Sequence, residues 1–283
     1  MRCIFVLGTG RSGTHYLHRL CRRNLSDAVC RHEPYWSPGN PNMFGAAIDA
    51  HLRHDVATLR KLVERKRQYI LRLRCSTYVE TSHAFLKSYF DRAPEYFPDI
   101  GLFYLLRDPL KTARSEANRE ELLHRVRFPF RTYRAADGQT YFRWSLTGHE
   151  PIYECFAGKK PTLFQHYFLQ WIEIQNRAVQ FLDDFAMHDD CAWLDSPQDL
   201  NDPGRLQDAF GRLGLAFRFP KVRLSGGHNR TPGVPTVVTT RDRDEAHAVL
   251  EKLPGHYLEI FRRPQFARFE WTSGLLRRSL SAV

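Results

Sequence analysis

One short stretch near the start of the chain concentrates glycines, hydroxyl side chains and a cation. It reads Gly8-Thr9-Gly10-Arg11-Ser12-Gly13-Thr14. Glycines allow the backbone to come close to a phosphate, and the N–H groups at a helix N-terminus favour an anion along the positive end of the helix dipole. The stretch therefore predicts a cradle for a phosphate or a similar anion. The structural alternative is a tight strand-to-helix turn that binds nothing.

The residues on either side of this stretch predict the elements that position it. Residues 3–7 form an apolar run rich in strand-forming side chains, which is typical of a buried strand. Tyr16, Leu17 and Leu20 then recur at helical spacing, so we expect a first helix over residues 14–24. A strand, a glycine-rich turn and a helix start are the parts of a phosphate-binding loop.

The loop departs from the ATP-binding pattern G-x-x-x-x-G-K-[ST]. Thr14 stands where the lysine belongs, His15 stands where the magnesium-binding hydroxyl belongs, and the cation lies inside the loop at Arg11. In this the loop resembles that of sulfotransferases that use 3′-phosphoadenosine-5′-phosphosulfate (PAPS). The resemblance implies that the loop holds the 5′-phosphosulfate and that no metal is required. The residues it assigns to this contact are Gly10, Arg11, Ser12, Gly13, Thr14 and His15.

A second motif follows the apolar run at residues 101–106. It begins at Arg107, and Ser115 lies eight residues further on. Sulfotransferases carry an Arg and a Ser at this spacing, and the resemblance implies that Arg107 and Ser115 grip the 3′-phosphate of PAPS. An Arg fork bonds a phosphate with two hydrogen bonds, and two helical turns bring the serine to the same side. Alternatively the motif is an ordinary helix start capped by Asp108. Arg114 is interpreted as a surface residue.

Three further residues are interpreted through the same resemblance. Tyr16 occupies the place of a tryptophan that stacks on adenine, although it could equally only pack the first helix. Arg230 lies in a late basic loop that would close over the nucleotide, although a surface turn explains that segment almost as well. Trp171 matches a family helix, but we interpret it as a core residue.

Transfer of a sulfuryl group to a hydroxyl needs a cation for the developing charge and a base for the proton. Arg11 suits the first role. Glu33 follows the second predicted strand, where carbohydrate- and protein-modifying sulfotransferases carry a glutamate base. His83 lies in Thr81-Ser82-His83, which resembles the Lys-Thr-His of small-molecule sulfotransferases but lacks the lysine. We favour Glu33 and keep His83 as the second candidate. A polar residue capping a strand end is the alternative for each.

Alternating strands and helices predict an α/β fold of three layers, similar to P-loop proteins, with a central parallel sheet and right-handed crossovers. We expect residues 1–283 to form a single domain, in which residues 116–165 are an irregular insertion that could cover the acceptor and residues 236–283 are a helical extension. Arg11, Glu33, His83 and Arg107 follow strand ends, so they should share one edge of the sheet. Local patterns predict a surface helix over 45–67, a strand within 69–79 and a helix over 84–93.

Composition narrows the class of protein. The 283 residues are 42% hydrophobic, as in a globular protein, and no apolar run approaches the roughly 18 residues of a membrane span. The net charge of +11 is spread along the chain, which suits anionic ligands. The six cysteines lack metal-binding spacing, so free thiols and no structural metal are expected. Since the chain starts directly with a strand, we expect a cytoplasmic protein.

The resemblance implies a PAPS-dependent sulfotransferase acting on a carbohydrate, small-molecule or peptide hydroxyl. Two other classes stay open. A magnesium-dependent P-loop kinase or phosphotransferase would share the topology, but the missing lysine and Ser/Thr count against it. A basic nucleic-acid-binding module would account for the charge and for the arginines and aromatic residues interleaved between 126 and 144.

Overall fold

In a computed structural model that describes residues 1–225, 237–267 and 269, five parallel strands form the central sheet. Their order is β2-β3-β1-β4-β7, and β5 and β6 form a separate antiparallel hairpin. The strands are β1 (Arg2–Leu7), β2 (Ala28–Arg31), β3 (Thr77–Glu80), β4 (Ile100–Arg107), β5 (Thr132–Arg134), β6 (Thr140–Phe142) and β7 (Cys191–Ser196).

Helices connect these strands. In chain order they are α1 (Thr14–Asn24), α2 (Ala46–Leu52), α3 (Val56–Arg72), α4 (Phe85–Ser88), α5 (Ala93–Tyr96), α6 (Pro109–Arg125), α7 (Leu163–Asp184), α8 (Pro203–Arg212), α9 (Thr240–Leu250), α10 (Gly255–Leu258) and α11 (Pro264–Ala267). Short 3₁₀ turns lie at Pro151–Phe156, Asp199–Asn201 and Glu259–Arg262. Within the described residues, no helix combines the length and the apolar character needed to cross a bilayer.

The sheet separates two hydrophobic cores, because successive side chains of a strand point to opposite faces. On β1, Cys3, Phe5 and Leu7 belong to one core, whereas Ile4 and Val6 belong to the other. Helices α6 and α7 contribute to the first core, and α1 and α8 contribute to the second. The result is the three-layer α/β architecture that the sequence predicted, with β1 and β4 covered on both faces.

The parallel register brings the carboxyl ends of the strands to one edge. Leu7 pairs with Tyr104 and Arg31 pairs with Glu80. At the end of β4, Arg107 pairs with Ser196 of β7. The segments that follow β1, β2, β3 and β4 therefore emerge side by side, which is where ligands bind in open parallel sheets.

Two local predictions were wrong. The expected helix over 45–67 is two helices, α2 and α3, because His54 adopts a positive φ of 53° and the Asp55 side chain caps the second helix by accepting from Thr58 N. The strand expected within 69–79 is present at Thr77–Glu80, after α3, which continues to Arg72. The helix expected over 84–93 is one turn, α4, before a separate α5.

The insertion also begins later than predicted. Helix α6 runs to Arg125, so residues 116–125 are regular structure with Glu116 and Ala117 buried. The irregular part starts near Val126 and contains the β5–β6 hairpin and the Pro151–Phe156 turn.

The described C-terminal helices pack on the first core. Val249 and Leu250 of α9 are buried there, as are Phe261 and Phe266. All six cysteines are free thiols, as expected.

Candidate active site

The loop between β1 and α1 contains two residues with a left-handed backbone. Arg11 adopts a positive φ of 59° and Gly13 one of 106°. A left-handed backbone is strained for a side chain as large as arginine, and strained residues cluster at functional sites. Such residues between right-handed neighbours turn successive N–H groups toward one concave surface. The buried Ser12 side chain fixes the loop by donating to Thr9 O at 2.7 Å.

The first turn of α1 has no side-chain cap. Gly13 is the N-cap and supplies no side-chain hydrogen bond, and the first turn contains no acidic residue. The first N–H groups of a helix need an acceptor from outside the helix, and the dipole favours a negative one. An anion above Gly13 and Thr14 would meet this need.

The two predicted phosphate motifs lie together in the structure. Arg107, at the end of β4, donates from Nη1 to the backbone carbonyl of Arg11. Arg11 Nε in turn donates to Ser115 Oγ at 3.1 Å. The loop after β1, the tip of β4 and the second turn of α6 therefore converge on one position.

Both guanidinium groups are partly removed from water. Burial lowers the pKa of Arg11, against the influence of the nearby Glu116 carboxylate, and burial also lowers the pKa of Arg107, with Arg11 contributing in the same direction. An arginine in a protein nevertheless stays protonated. Two like charges held close in a poorly solvated site are stabilised by an anion between them, and they form charge-assisted bonds with it.

Both candidate bases also meet, at the ends of β2 and β3. His83 Nε2 lies 3.2 Å from Glu33 Oε1. Glu33 has a positive φ of 42°, a second strained backbone at this edge. His83 is buried, its Nδ1 has no hydrogen-bond partner among the described residues, and its ring centroid lies 4.8 Å from that of Phe44.

The environment gives these two groups different protonation behaviour. Burial raises the pKa of Glu33 to about 7, although Arg119 opposes the rise. Burial lowers the pKa of His83 well below its ordinary value, and Lys87 and Arg119 act in the same direction. A neutral His83 can donate Nε2–H to the Glu33 carboxylate. Glu33 is then the group that exchanges a proton near neutral pH.

Two cationic residues at this edge were missed from the sequence. Arg119 lies four residues after Ser115 on α6, with Nη1 3.8 Å from Glu116 Oε2 and its guanidinium 4.8 Å from the Trp144 ring centroid. Lys87 is buried and donates to Trp144 O at 2.6 Å, and burial lowers its pKa to about 8. The i,i+4 spacing of Ser115 and Arg119 was the available signal.

Glu116 explains why position 10 is glycine. A Cβ built on Gly10 would lie 1.9 Å from Glu116 Oε1, so the carboxylate packs directly against the loop. That oxygen is buried and has no hydrogen-bond partner among the described residues. The loop region therefore carries the positive charges of Arg11 and Arg107, and the Glu116 carboxylate packs against Gly10.

The remaining predicted residues have varied positions. His15 lies on the first turn of α1, with its ring centroid 5.0 Å from that of His32. Tyr16 is buried in the second core and its hydroxyl donates to Asn201 Oδ1 at 3.5 Å, and its contact with adenine stays a prediction. Arg230 lies outside the described residues.

Two residues of α6 and α7 have structural partners. Trp171 is a core residue, as interpreted, and its Nε1 donates to Arg107 O at 3.1 Å, so it also helps to fix the tip of β4. Arg114 pairs with the buried carboxylate of Asp242 on α9. In the described part of the chain, no cluster of three or more His, Cys, Asp or Glu side chains has an arrangement that could hold a metal ion.

Comparison with known proteins finds likeness in structure but not in sequence. No protein-family model matches the chain, and no curated protein matches it by sequence. Among solved structures, the chain is similar to a sulfotransferase from Alicyclobacillus acidocaldarius, at 18% identity and a TM-score of 0.45, covering 92% of this chain and 98% of that one. It is also similar to the sulfotransferase domain of the olefin synthase from Synechococcus PCC 7002, at 12% identity and a TM-score of 0.43, covering 90% of this chain and 96% of that one.

Proposed function

We propose that this protein is a sulfotransferase that moves the sulfuryl group of PAPS to a hydroxyl acceptor. The observation that carries the proposal is the convergence of Arg11, Arg107 and Ser115 on one position. A mononucleotide with a single phosphate cluster needs only one cationic anchor, whereas PAPS carries anionic groups on both its 3′ and 5′ sides. The convergence supplies two anchors on neighbouring strands.

The loop residues would hold the phosphosulfate, with Gly13 and Thr14 supplying N–H groups from the start of α1. Arg107 and Ser115 would hold the 3′-phosphate. Arg11 would lie between the two groups and neutralise the charge that develops on the bridging oxygen as its bond to sulfur breaks. The leaving group is 3′,5′-ADP.

Glu33 would accept the proton of the acceptor hydroxyl while that oxygen forms its bond to sulfur. Its raised pKa, about 7, suits a base that works near neutral pH. His83 would act as a positioning residue, because its Nε2 lies within hydrogen-bond distance of Glu33 and its buried ring stays neutral.

Thermal-shift measurements with three nucleotides test the donor class. We expect 3′,5′-ADP to raise the melting temperature without added metal, and 5′-AMP to raise it less because it lacks the 3′-phosphate. Arg107→Ala should remove most of the difference between the two. Stabilisation by ATP with magnesium equal to or greater than that by 3′,5′-ADP would instead favour a kinase and contradict the proposal.

A further inference from the structure

An exposed hydrophobic surface, three of whose four side chains are aromatic, is connected by ring contacts with the Glu33–His83 pair. We call it the shelf and define it by Trp36, Val126, Phe128 and Phe130, which are 65%, 58%, 40% and 62% exposed. These are four of the nine large hydrophobic side chains that are exposed among the described residues. Single exposed apolar residues are normal, but a group of them indicates a binding surface.

The shelf has a defined geometry. The Trp36 and Phe130 ring centroids lie 5.5 Å apart at an interplanar angle of 71°, so the rings form a corner. Phe130 adopts a strained positive φ of 61°, and Arg143 Nε holds that turn by donating to Phe130 O at 2.6 Å. Arg131 Nη1 similarly donates to Phe128 O at 2.9 Å. Strain kept in place by surrounding hydrogen bonds is typical of a ligand site.

Two chains of contacts connect the shelf with the reacting groups. From Trp36, ring contacts of 5.1, 6.1 and 4.8 Å lead through Tyr35 and Phe44 to His83. From Phe128, a contact of 6.4 Å leads to Trp144, which lies under Arg119. Since three residues of chain extend at most about 11 Å, the Trp36 backbone is also within that distance of Glu33.

The openness of the shelf distinguishes between kinds of acceptor. Sites for small molecules are concave and bury most of the ligand surface. A corner whose two rings are more than 60% exposed can cover only one face of a ligand. This openness suits a ligand polymer that lies across the surface. Each unit of such a polymer is a ring that stacks an apolar face on an aromatic side chain and directs its hydroxyls to water.

The charge around the shelf indicates which charge its ligand carries. Residues 122–134 contain four arginines, Arg125, Arg127, Arg131 and Arg134, and no aspartate or glutamate. Arg125 and Arg127 are exposed. A stretch of one charge sign selects a ligand of the opposite sign and speeds its approach.

We propose that the shelf binds an acidic glycan, one that carries uronic-acid or similar anionic sugars, and presents one of its hydroxyls to Glu33. The inference rests on the proposed function, since it names the acceptor of that reaction. Trp36 and Phe130 stack on sugar rings, and the arginines of residues 122–134 pair with the carboxylates.

Calorimetric binding of two hexasaccharides, in 0.15 M salt and without nucleotide, tests the shelf. Oligogalacturonate is the acidic probe and maltohexaose is the neutral one. We expect oligogalacturonate to bind at least tenfold more tightly, Arg127→Gln to weaken that probe alone, and Trp36→Ala or Phe130→Ala to weaken it about fivefold or more. Phe185→Ala is the matched control, because it removes an exposed aromatic side chain between α7 and the start of β7, at the other edge of the sheet.

Unchanged binding in Trp36→Ala and Phe130→Ala, or equal affinity for the two hexasaccharides, would overturn the shelf proposal. Tighter binding of an acidic tyrosine peptide than of oligogalacturonate, lost in the same variants, would also overturn it and assign the shelf to a peptide.

Binding of 3′,5′-ADP, measured separately, distinguishes the shelf proposal from the proposal that PAPS is the donor. If 3′,5′-ADP binds and the glycan does not, the shelf proposal alone fails; if the glycan binds and 3′,5′-ADP does not, the donor proposal alone fails.

Discussion

The carboxyl edge of the sheet has two halves that differ in charge and in how they are built. At the tips of β1 and β4, Arg107 donates to the backbone carbonyl of Arg11, and Arg11 donates to Ser115. At the tips of β2 and β3, a carboxylate faces a neutral imidazole, Glu33 and His83, at 3.2 Å. The first half attracts anions, whereas the second can take up a proton.

The difference shows how one sheet edge can hold two reactants of different chemistry. A cationic half would bind a polyanionic donor and stabilise its leaving group, but it would also hold any nearby carboxylate in its charged form. The second half avoids this through burial, which raises the pKa of Glu33 to about 7 despite Arg119. In the proposed mechanism, separate strand tips would allow tight anion binding and a working base within one site.

The largest expected effect is on the cationic half. Arg11→Ala should lower sulfuryl transfer by about 10³-fold or more, the range found when a cation that stabilises a transferring phosphoryl group is removed. Initial rates with a PAPS donor measure this. The control is Arg212→Ala, which removes an arginine near the amino end of β7. A variant at position 11 that keeps most of its rate would exclude Arg11 from transition-state stabilisation.

The next effect is on the second half. Glu33→Gln should lower turnover by about 10² to 10⁴-fold, because the amide cannot accept the proton. Binding of 3′,5′-ADP should be unchanged. In the unaltered protein, turnover should rise with pH through about 7, since the base works only when deprotonated. A flat profile between pH 5.5 and 8.5, or full activity in Glu33→Gln, would remove Glu33 from the mechanism.

A smaller effect, on the pH profile of His83 variants, shows whether His83 positions Glu33 or itself accepts the proton. His83→Ala should raise the apparent pKa of the acidic limb, because the Glu33 carboxylate loses a donor that stabilises its charged form. His83→Asn keeps an N–H donor, so it should restore the limb to near 7 and retain most of the turnover. Loss of turnover in His83→Asn, with activity kept in Glu33→Gln, would make His83 the base instead.

The first half of this edge was accessible from the sequence because its signals are local. Glycines, Arg11 and the start of α1 lie within one turn, and Arg107 and Ser115 have a fixed helical spacing. The second half depends on packing between distant segments. Nothing in the sequence shows that Arg119 approaches Glu33, or that burial separates the pKa of Glu33 from that of His83.

The wrong element boundaries have a similar cause. Asp55 followed by Thr58 is a helix-start signal, which an apolar periodicity running through residues 45–67 obscured. Residues 84–90 are all buried, so their apolar side chains do not define one helix face, and the chain makes one turn at α4 before α5 begins at Ala93. Hydrophobic periodicity predicts the bounds of a helix poorly where every face of the segment is buried.

The claim that one nucleotide bridges Arg11 and Arg107 is tested most directly by a binding cycle. Calorimetry would give the affinities of the unaltered protein and of Arg107→Ala for 3′,5′-ADP and for 5′-AMP. We predict that the 3′-phosphate strengthens binding about 10- to 100-fold in the unaltered protein, as expected for a charge-assisted pair, and that Arg107→Ala abolishes this gain. An equal gain in both proteins would show that Arg107 does not contact the 3′-phosphate and would contradict the account.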